Sequence, residues 1–189
     1  MDPTPNLVLV GPMGAGKSSI GRQLARRLAM DFVDLDHEIE RRTGASIAMI
    51  FECEGEAGFR DRERTALADT LQGTGQVVAT GGGAVLDERN RELMRRRGFV
   101  VHLHVGVQDQ LQRLARDRSR PLLAGGDREA VLQRLADERE PLYREAAHLR
   151  FDTGSDPARA ACTRLARLLE PQWQRPTPAT HAPHRSKPA

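Results

Sequence analysis

The sequence predicts an α/β fold, a three-layer sandwich in which helices cover both faces of a parallel sheet. Three observations support this fold class. Short apolar runs, typical of buried strands, alternate with longer segments whose apolar residues recur at helical spacing. A glycine-rich loop joins the first apolar run to the first helical segment. Each later helical segment returns the chain to another apolar run, as the crossovers of a parallel sheet require.

Five of these runs are predicted to be strands. The first ends at a glycine, the second contains two aspartates and the third runs into three successive glycines. The predicted strand segments are 6–11, 31–36, 76–80, 99–105 and 149–154.

The segments between and after the strands are predicted to be helical. A helix over 37–44 is expected to stop at Gly44, and one over 87–98 at Gly98. The last helix begins at Pro157, whose fixed φ suits a helix start. The predicted helical segments are 18–30, 37–44, 46–71 in pieces, 87–98, 108–117, 129–140 followed by Pro141, and 157–170.

Two stretches lack a helical or strand pattern. Residues 118–129 contain a proline and two glycines and are predicted to form a loop. From residue 171 the composition changes to Pro, Thr, His and Arg, which predicts a disordered and dispensable tail with a solvated Trp173. The sequence therefore predicts one domain over 1–170 and a tail over 171–189.

The charge and cysteine content narrow the possible functions. Of the 29 basic residues three lie within 171–189, where none of the 26 acidic residues occurs. Basic and acidic residues are thus equal in number in 1–170, which gives no support for a patch that binds nucleic acid or membrane. Two cysteines, Cys53 and Cys162, are too few for a disulfide scaffold. With no charged signal sequence and no apolar run of about 20 residues, we expect a cytoplasmic protein.

Residues 11–18 read G-P-M-G-A-G-K-S, a full match to the phosphate-binding pattern G-x-x-x-x-G-K-[ST] between a predicted strand and helix. The glycines let backbone N–H groups surround phosphate oxygens, and Ser18 offers a hydroxyl to Mg²⁺. Lys17 is the only lysine in the first 186 residues. We expect it to reach between the β- and γ-phosphates, where a planar guanidinium is too wide. The pattern predicts nucleotide binding but does not separate kinases from switches or motors.

Acidic and glycine residues follow two further strands. Asp34 and Asp36 are predicted at the end of the second strand, pointing the same way, where a metal and a substrate hydroxyl could be held. An alternative role for Asp36 is the N-cap of the next helix. Gly81, Gly82 and Gly83 permit a close approach by a ligand, or simply a tight turn. The third strand lacks a terminal aspartate, which makes Asp34 the better candidate for supporting Mg²⁺.

Several separate motifs occur in order over about residues 6–170. They are G-P-M-G-A-G-K-S-S-I-G, D-L-D, GEAGFRDRE, T-G-G-G-A-V, R-P-L-L-A-G and REPLYRE. In this order they resemble the shikimate kinases. The resemblance implies a P-loop fold like that of nucleoside-monophosphate kinases, with a five-stranded parallel sheet and a lid over 117–127. It also implies transfer of the γ-phosphate of ATP to the 3-hydroxyl of shikimate, on the route to chorismate and the aromatic amino acids.

The resemblance also implies a role for each matched residue. One Mg²⁺ ion would be held by Ser18 and, through water, by Asp34. Lys17, Asp36 and Arg120 would be catalytic, with Asp36 beside the acceptor hydroxyl and Arg120 on the lid. Shikimate would be bound by Asp36, Arg60, Gly82 and Arg139, the two arginines holding its carboxylate by charge-assisted hydrogen bonds. ATP would be bound by Gly14, Ala15, Gly16, Lys17, Ser18, Ser19, Arg113 near the adenine, and Arg120.

Other functions stay open from the residues alone. In a chain this rich in arginine, Arg60, Arg120 and Arg139 would by default be solvated helix residues. A kinase of another small hydroxylated acceptor, such as gluconate, would share the phosphate loop. A non-catalytic nucleotide-binding module would share it too, and a basic tail could bind nucleic acid. The expectation is a monomer that binds ATP and shikimate, and neither nucleic acid nor membrane.

Overall fold

The computed structural model of the chain describes residues 6–115 and 127–173. Five strands form a single parallel sheet in the order β2-β3-β1-β4-β5. The predicted five-stranded parallel sheet is therefore confirmed. The strands are β1 (Asn6–Val10), β2 (Asp31–Asp34), β3 (Gln76–Ala79), β4 (Gly98–His104) and β5 (Leu149–Asp152).

Seven α-helices and one 3₁₀ helix lie within the described residues. None of these helices is long and apolar enough to cross a membrane. The 3₁₀ helix spans Ala84–Leu86, between β3 and α4. The α-helices are α1 (Lys17–Leu28), α2 (Leu35–Thr43), α3 (Ile47–Thr70, kinked at Gly55), α4 (Glu88–Arg97), α5 (Val107–Leu114), α6 (Arg128–Ala146) and α7 (Ala158–Leu169).

The core has two parts, one on each face of the sheet. In β1 every side chain is buried, and alternate residues point to opposite faces. Leu7 and Leu9 belong to the cluster with α1 and α7. Val8 and Val10 belong to the cluster with α2, α3, α4 and α6. Because both faces are covered, the strands read as continuous apolar runs, and the carboxyl ends of the strands form an edge where a site can lie.

The boundary between β2 and α2 differs from the prediction. The strand ends at Asp34, whose side chain accepts a long hydrogen bond of 3.5 Å from the backbone N–H of His37 and so caps α2. Asp36 is therefore in the first turn of α2 and not on the strand. The capping role considered for Asp36 belongs to Asp34, since only this residue has the extended backbone that an N-cap requires.

Helix α6 also departs from the prediction, because it continues through Pro141 to Ala146. A proline inside a helix removes one backbone hydrogen bond, and the helix after it needs support from packing. That support comes from Tyr143 and Ala146, which are buried against the sheet. The predicted loop over 118–129 ends at Asp127, the N-cap of α6, and its residues 118–126 lie outside the described part of the chain.

The prediction of a solvated indole at Trp173 is wrong. Trp173 is only 7% exposed and packs in the cluster that contains α1 and α7. Its backbone N–H donates to the carbonyl of Leu169 at 2.8 Å, and that of Gln172 donates to the same carbonyl at 2.9 Å. The chain thus turns back after α7 and places the ring on the core. Residues 174–189 of the predicted tail lie outside the described residues.

Candidate active site

The loop between β1 and α1 turns on two glycines. Gly14 and Gly16 have φ angles of 74° and 85°, in the left-handed region that other residues rarely adopt. Gly16 is the N-cap of α1, and Lys17 is the first residue of that helix. Backbone N–H groups at the start of a helix lack partners within it and carry positive partial charge. The loop and the helix start therefore form a surface suited to an anion.

The side chain of Lys17 lies back across this loop. Its Nζ donates to the carbonyl oxygens of Gly11 at 2.7 Å and Pro12 at 2.8 Å. A compact ammonium with three donors can exchange carbonyl contacts of this kind for contacts with phosphate oxygens. Arginine would need room for a planar group at the same point.

A cavity of about 450 Å³ lies at the carboxyl ends of the strands. Its walls include the ends of β2 and β3, the loop after β5 and the start of α1. Asp34, Asp36, Gly82 and Arg113 also line it. The residues of the phosphate loop predicted to bind ATP all line this cavity, namely Gly14, Ala15, Gly16, Lys17, Ser18 and Ser19.

Two hard oxygen donors share this cavity, the Ser18 hydroxyl and the Asp34 carboxylate. Hard oxygen ligands of this kind suit Mg²⁺, which keeps several waters and takes few ligands from the protein. Thr80 follows β3 at the same edge, and its hydroxyl donates to the carbonyl of Leu9 at 3.1 Å. Since Thr80 supplies no carboxylate, the acidic group nearest along the sheet edge comes from the neighbouring strand β2, as the sequence predicted.

Arg113 connects the two ends of this cavity. Its Nη1 donates to the carbonyl of Gly14 at 2.8 Å and to Oγ1 of Thr153 at 3.2 Å, and its Nη2 donates to the carbonyl of Gly154. The guanidinium thereby joins the phosphate loop to the loop after β5. Its predicted place near an adenine ring is compatible with this position, and stays a prediction.

A second, smaller cavity of about 70 Å³ adjoins the first. Three residues line both cavities, Met13, Asp36 and Gly82. The other polar residues of the second cavity come from α3 and α6, namely Arg60, Glu63 and Arg139. The structure thus brings together all four residues that the sequence assigned to an acceptor, from four separate segments of the chain.

Arg60 is held in place by a buried carboxylate. Its Nη1 donates to Oε2 of Glu63 at 2.6 Å, and its Nη2 donates to Oε1 of Glu56 at 2.9 Å. Only 1% of the Glu63 side chain is exposed, and burial raises the pKa of this carboxyl, against the opposing charge of Arg60. The guanidinium packs so closely on Gly83 that a Cβ there would lie 2.3 Å from its Nη2.

Arg139 and Tyr143 form the wall contributed by α6. Arg139 is 6% exposed, and its Nε has no hydrogen-bond partner among the described residues. The Tyr143 side chain is hydrogen-bonded to the Arg139 side chain. Its hydroxyl also donates a hydrogen bond to the carbonyl of Gly82 at 2.5 Å. A buried guanidinium with a donor to spare is suited to an anionic ligand. Tyr143 in turn fixes the glycine that separates the two cavities.

Sequence reasoning missed three residues of this site, Glu63, Thr80 and Tyr143. The spacing of Arg60 and Glu63, three residues apart on a helix, was a usable signal for an ion pair. Tyr143 is the only tyrosine of the chain, but nothing local indicated its hydroxyl partner. Arg120, predicted to lie on a lid, falls outside the described residues together with 117–126.

Comparison with known families agrees with this geometry. The sequence model of the family described as shikimate kinase matches residues 13–170. A shikimate kinase of Stenotrophomonas maltophilia (strain R551-3) is 59% identical over 175 residues, which covers 93% of this chain and 97% of the relative.

Solved structures of shikimate kinases are also similar to this chain. Shikimate kinase from Acinetobacter baumannii in complex with shikimate has a TM-score of 0.85 and 49% identity, and the match covers 87% of this chain and 92% of that one. A gluconokinase from Sinorhizobium meliloti 1021 has a TM-score of 0.53 at 18% identity, covering 88% of this chain and 95% of that one, so this likeness shows the fold alone. These neighbours support the predicted P-loop fold of the nucleoside-monophosphate-kinase type.

Proposed function

The chain belongs to the shikimate kinase family and phosphorylates shikimate with ATP, and from this premise we propose that the phosphate crosses between the two cavities at Asp36. The observation that carries the proposal is that Asp36 and Gly82 line both cavities. Phosphoryl transfer depends mainly on positioning and charge neutralisation, and a shared wall holds donor and acceptor on either side of one carboxylate.

In this proposal the larger cavity holds ATP. Backbone N–H groups of 14–19 and the N-terminus of α1 bind the β- and γ-phosphates, and Lys17 exchanges its contacts with Gly11 and Pro12 for phosphate oxygens. Arg113 lies beside the adenine, at the loop after β5. Arg120 approaches the phosphates from the lid and neutralises charge, an assignment that rests on the family resemblance.

The residues present also fit one Mg²⁺ ion. Ser18 and, through water, Asp34 would hold it, since both line the larger cavity and both are oxygen donors. When bound, the ion neutralises charge on the β- and γ-phosphates. Asp34 contributes a fixed carboxylate, because its position at the end of β2 is set by the sheet and by its capping of α2.

The smaller cavity holds shikimate. Arg139 and Arg60 bind its carboxylate, and the free Nε–H of Arg139 supplies one of the donors. Glu63 keeps Arg60 in position, so this side chain loses little conformational entropy when the substrate binds. Asp36 accepts a hydrogen bond from the 3-hydroxyl, orients its oxygen toward the γ-phosphate and takes its proton.

We also propose that the protein acts as a monomer in the cytoplasm and has no nucleic-acid partner. The described residues of one chain contain both cavities and every polar residue named above except Arg120, which supports a site formed within a single chain. Cys53 and Cys162 are free thiols, which suits a reducing compartment.

The test is ATP turnover with shikimate, with gluconate and with no acceptor, measured on the full chain and on Asp36→Asn. Turnover is expected with shikimate alone and is expected to fall in the variant with little change in ATP affinity. Equal turnover with gluconate would reject the assigned acceptor site. Normal turnover by Asp36→Asn would reject the transfer route and leave the family assignment intact.

A further inference from the structure

A second cluster of polar side chains lies on β4 and α6, away from the phosphate loop. His102 and His104 are two residues apart on β4 and therefore project from the same face of the sheet. Glu140 reaches them from α6. Its Oε2 lies 3.6 Å from Nε2 of His102 and 3.6 Å from Nδ1 of His104. One ligand atom from each side chain lies within 4.8 Å of the others.

His102 is the buried member of this cluster. It has no exposed surface, and neither ring nitrogen has a hydrogen-bond partner among the described residues. Buried polar groups of folded proteins are nearly always bonded, so this ring calls for a partner. Its stacking on Tyr143, with ring centroids 5.0 Å apart, occupies the ring face and leaves both nitrogens without a bond.

The carboxylate of Glu140 is oriented by charged neighbours. Arg144 donates to its Oε1 at 2.9 Å, and Nε of Arg150 lies 3.6 Å from the same oxygen. These contacts turn the other oxygen, Oε2, toward the two imidazoles. Partners of this kind commonly orient the ligands of metal sites. The two arginines also repel a cation, and the carboxylate charge lies between them and the imidazoles.

We propose that His102, His104 and Glu140 bind one divalent transition-metal ion of the zinc class. Two imidazole nitrogens and one carboxylate oxygen are the donor set of an open zinc site. Adjacent ligand atoms around tetrahedral zinc are about 3.4 Å apart, given metal–ligand distances of about 2.1 Å. The two 3.6 Å separations are close to this value, and all three ligand atoms lie within 4.8 Å of one another, so the two imidazoles would move closer together around a bound ion. Mg²⁺ prefers all-oxygen sites, so this site is distinct from the one of Ser18 and Asp34.

The site has an entry path and a mechanical consequence. His104 and Glu140 line a cavity of about 630 Å³ between α5 and α6, through which an ion can reach them. Glu140 directly follows Arg139, and Tyr143 lies one turn later. A bound ion would tie α6 to β4 at the base of the acceptor wall.

The test uses the full chain, treated with a chelator and titrated with Co²⁺ in excess Mg²⁺ without nucleotide. Visible Co²⁺ absorption and calorimetry are the readouts. We expect one equivalent at this site, with affinity reduced by at least about tenfold in His104→Gln and in Glu140→Gln. Zn²⁺ is expected to displace Co²⁺ and to raise the melting temperature of the parent chain but not of the two site variants.

The matched control is His181→Gln with His184→Gln, which removes the histidines near the C-terminus of the sequence. This double variant is expected to keep the full equivalent and the absorption bands. The proposal is overturned if the parent chain binds no Co²⁺, if binding is lost in the double variant, or if it persists in both site variants. If either site variant fails to fold by circular dichroism, the other decides, and His104 is the milder change because it is partly exposed.

Discussion

Trp173 offers a direct test of where the folded domain ends. A chain cut after Glu170 loses this side chain, which is 93% buried in the cluster with α1 and α7 and follows the turn anchored on the Leu169 carbonyl. A Trp side chain buries about 150–250 Å², worth about 4–6 kcal/mol as an upper estimate at about 25 cal/mol per Å². Large-to-small changes at such sites cost about 3–5 kcal/mol. For a domain of this size that corresponds to a fall in melting temperature of roughly 6–20 °C.

The assay is calorimetric melting of three chains without ligands, the full chain, one ending at Glu170 and one ending at Trp173. We expect the chain ending at Trp173 to melt like the full chain and the chain ending at Glu170 to melt lower by that amount. Trp173→Ala in the full chain should match the shorter truncation. A shorter truncation that melted within about 2 °C of the full chain would refute the packing argument. As the only tryptophan, Trp173 also gives a buried-indole emission that shifts to the red on unfolding.

The remaining predictions concern the active site. Lys17→Arg should leave melting nearly unchanged and lower kcat by at least about 10²-fold in steady-state assays, because the guanidinium does not fit between the phosphates; near-normal kcat would contradict this. Asp36→Asn should lower kcat by roughly 10²–10⁴-fold with ATP affinity nearly intact by calorimetry, and equal losses of kcat and ATP affinity would argue against a role at the acceptor. Arg60→Ala and Arg139→Ala should each weaken shikimate binding by about 1.5–3 kcal/mol, or about 10- to 150-fold in Kd, and leave ATP binding much less changed. If ATP binding weakened and shikimate binding did not, the acceptor site would be wrongly placed. Melting curves serve as the control, because Arg60→Ala also leaves the buried carboxylate of Glu63 without its partner.

The sequence was most informative where local pattern and function coincide. The phosphate loop could be predicted because its glycines, its lysine and its place between a strand and a helix are all local features. Strand order was not readable from spacing alone. The resemblance to a family supplied Arg60 and Arg139, which lie 79 positions apart in the sequence and meet only in the folded chain.

The sequence was least informative where tertiary packing decides. Asp34 and Asp36 are both compatible with a strand end in the sequence. Asp34 is the N-cap of α2 and Asp36 lies inside that helix, a difference that depends on backbone angles. Pro141 indicates a helix end locally, yet the burial of Tyr143 keeps α6 intact. Trp173 lies in a proline-rich segment that looks disordered by composition, and only the core shows where its ring packs.

The unpaired Nε–H of Arg139 has a consequence for the selectivity of the enzyme among small acceptors. Its guanidinium is buried in the wall of the small cavity, which Asp36 and Glu63 also line. A neutral polyol of the right size would fill the space and still leave a buried donor unsatisfied. Sites of this kind reject an analogue that lacks the matching polar group by factors that reach about 10⁴. We therefore expect this enzyme to require a carboxylate on its acceptor in addition to a matching shape, and neutral sugars to be poor competitors even at high concentration.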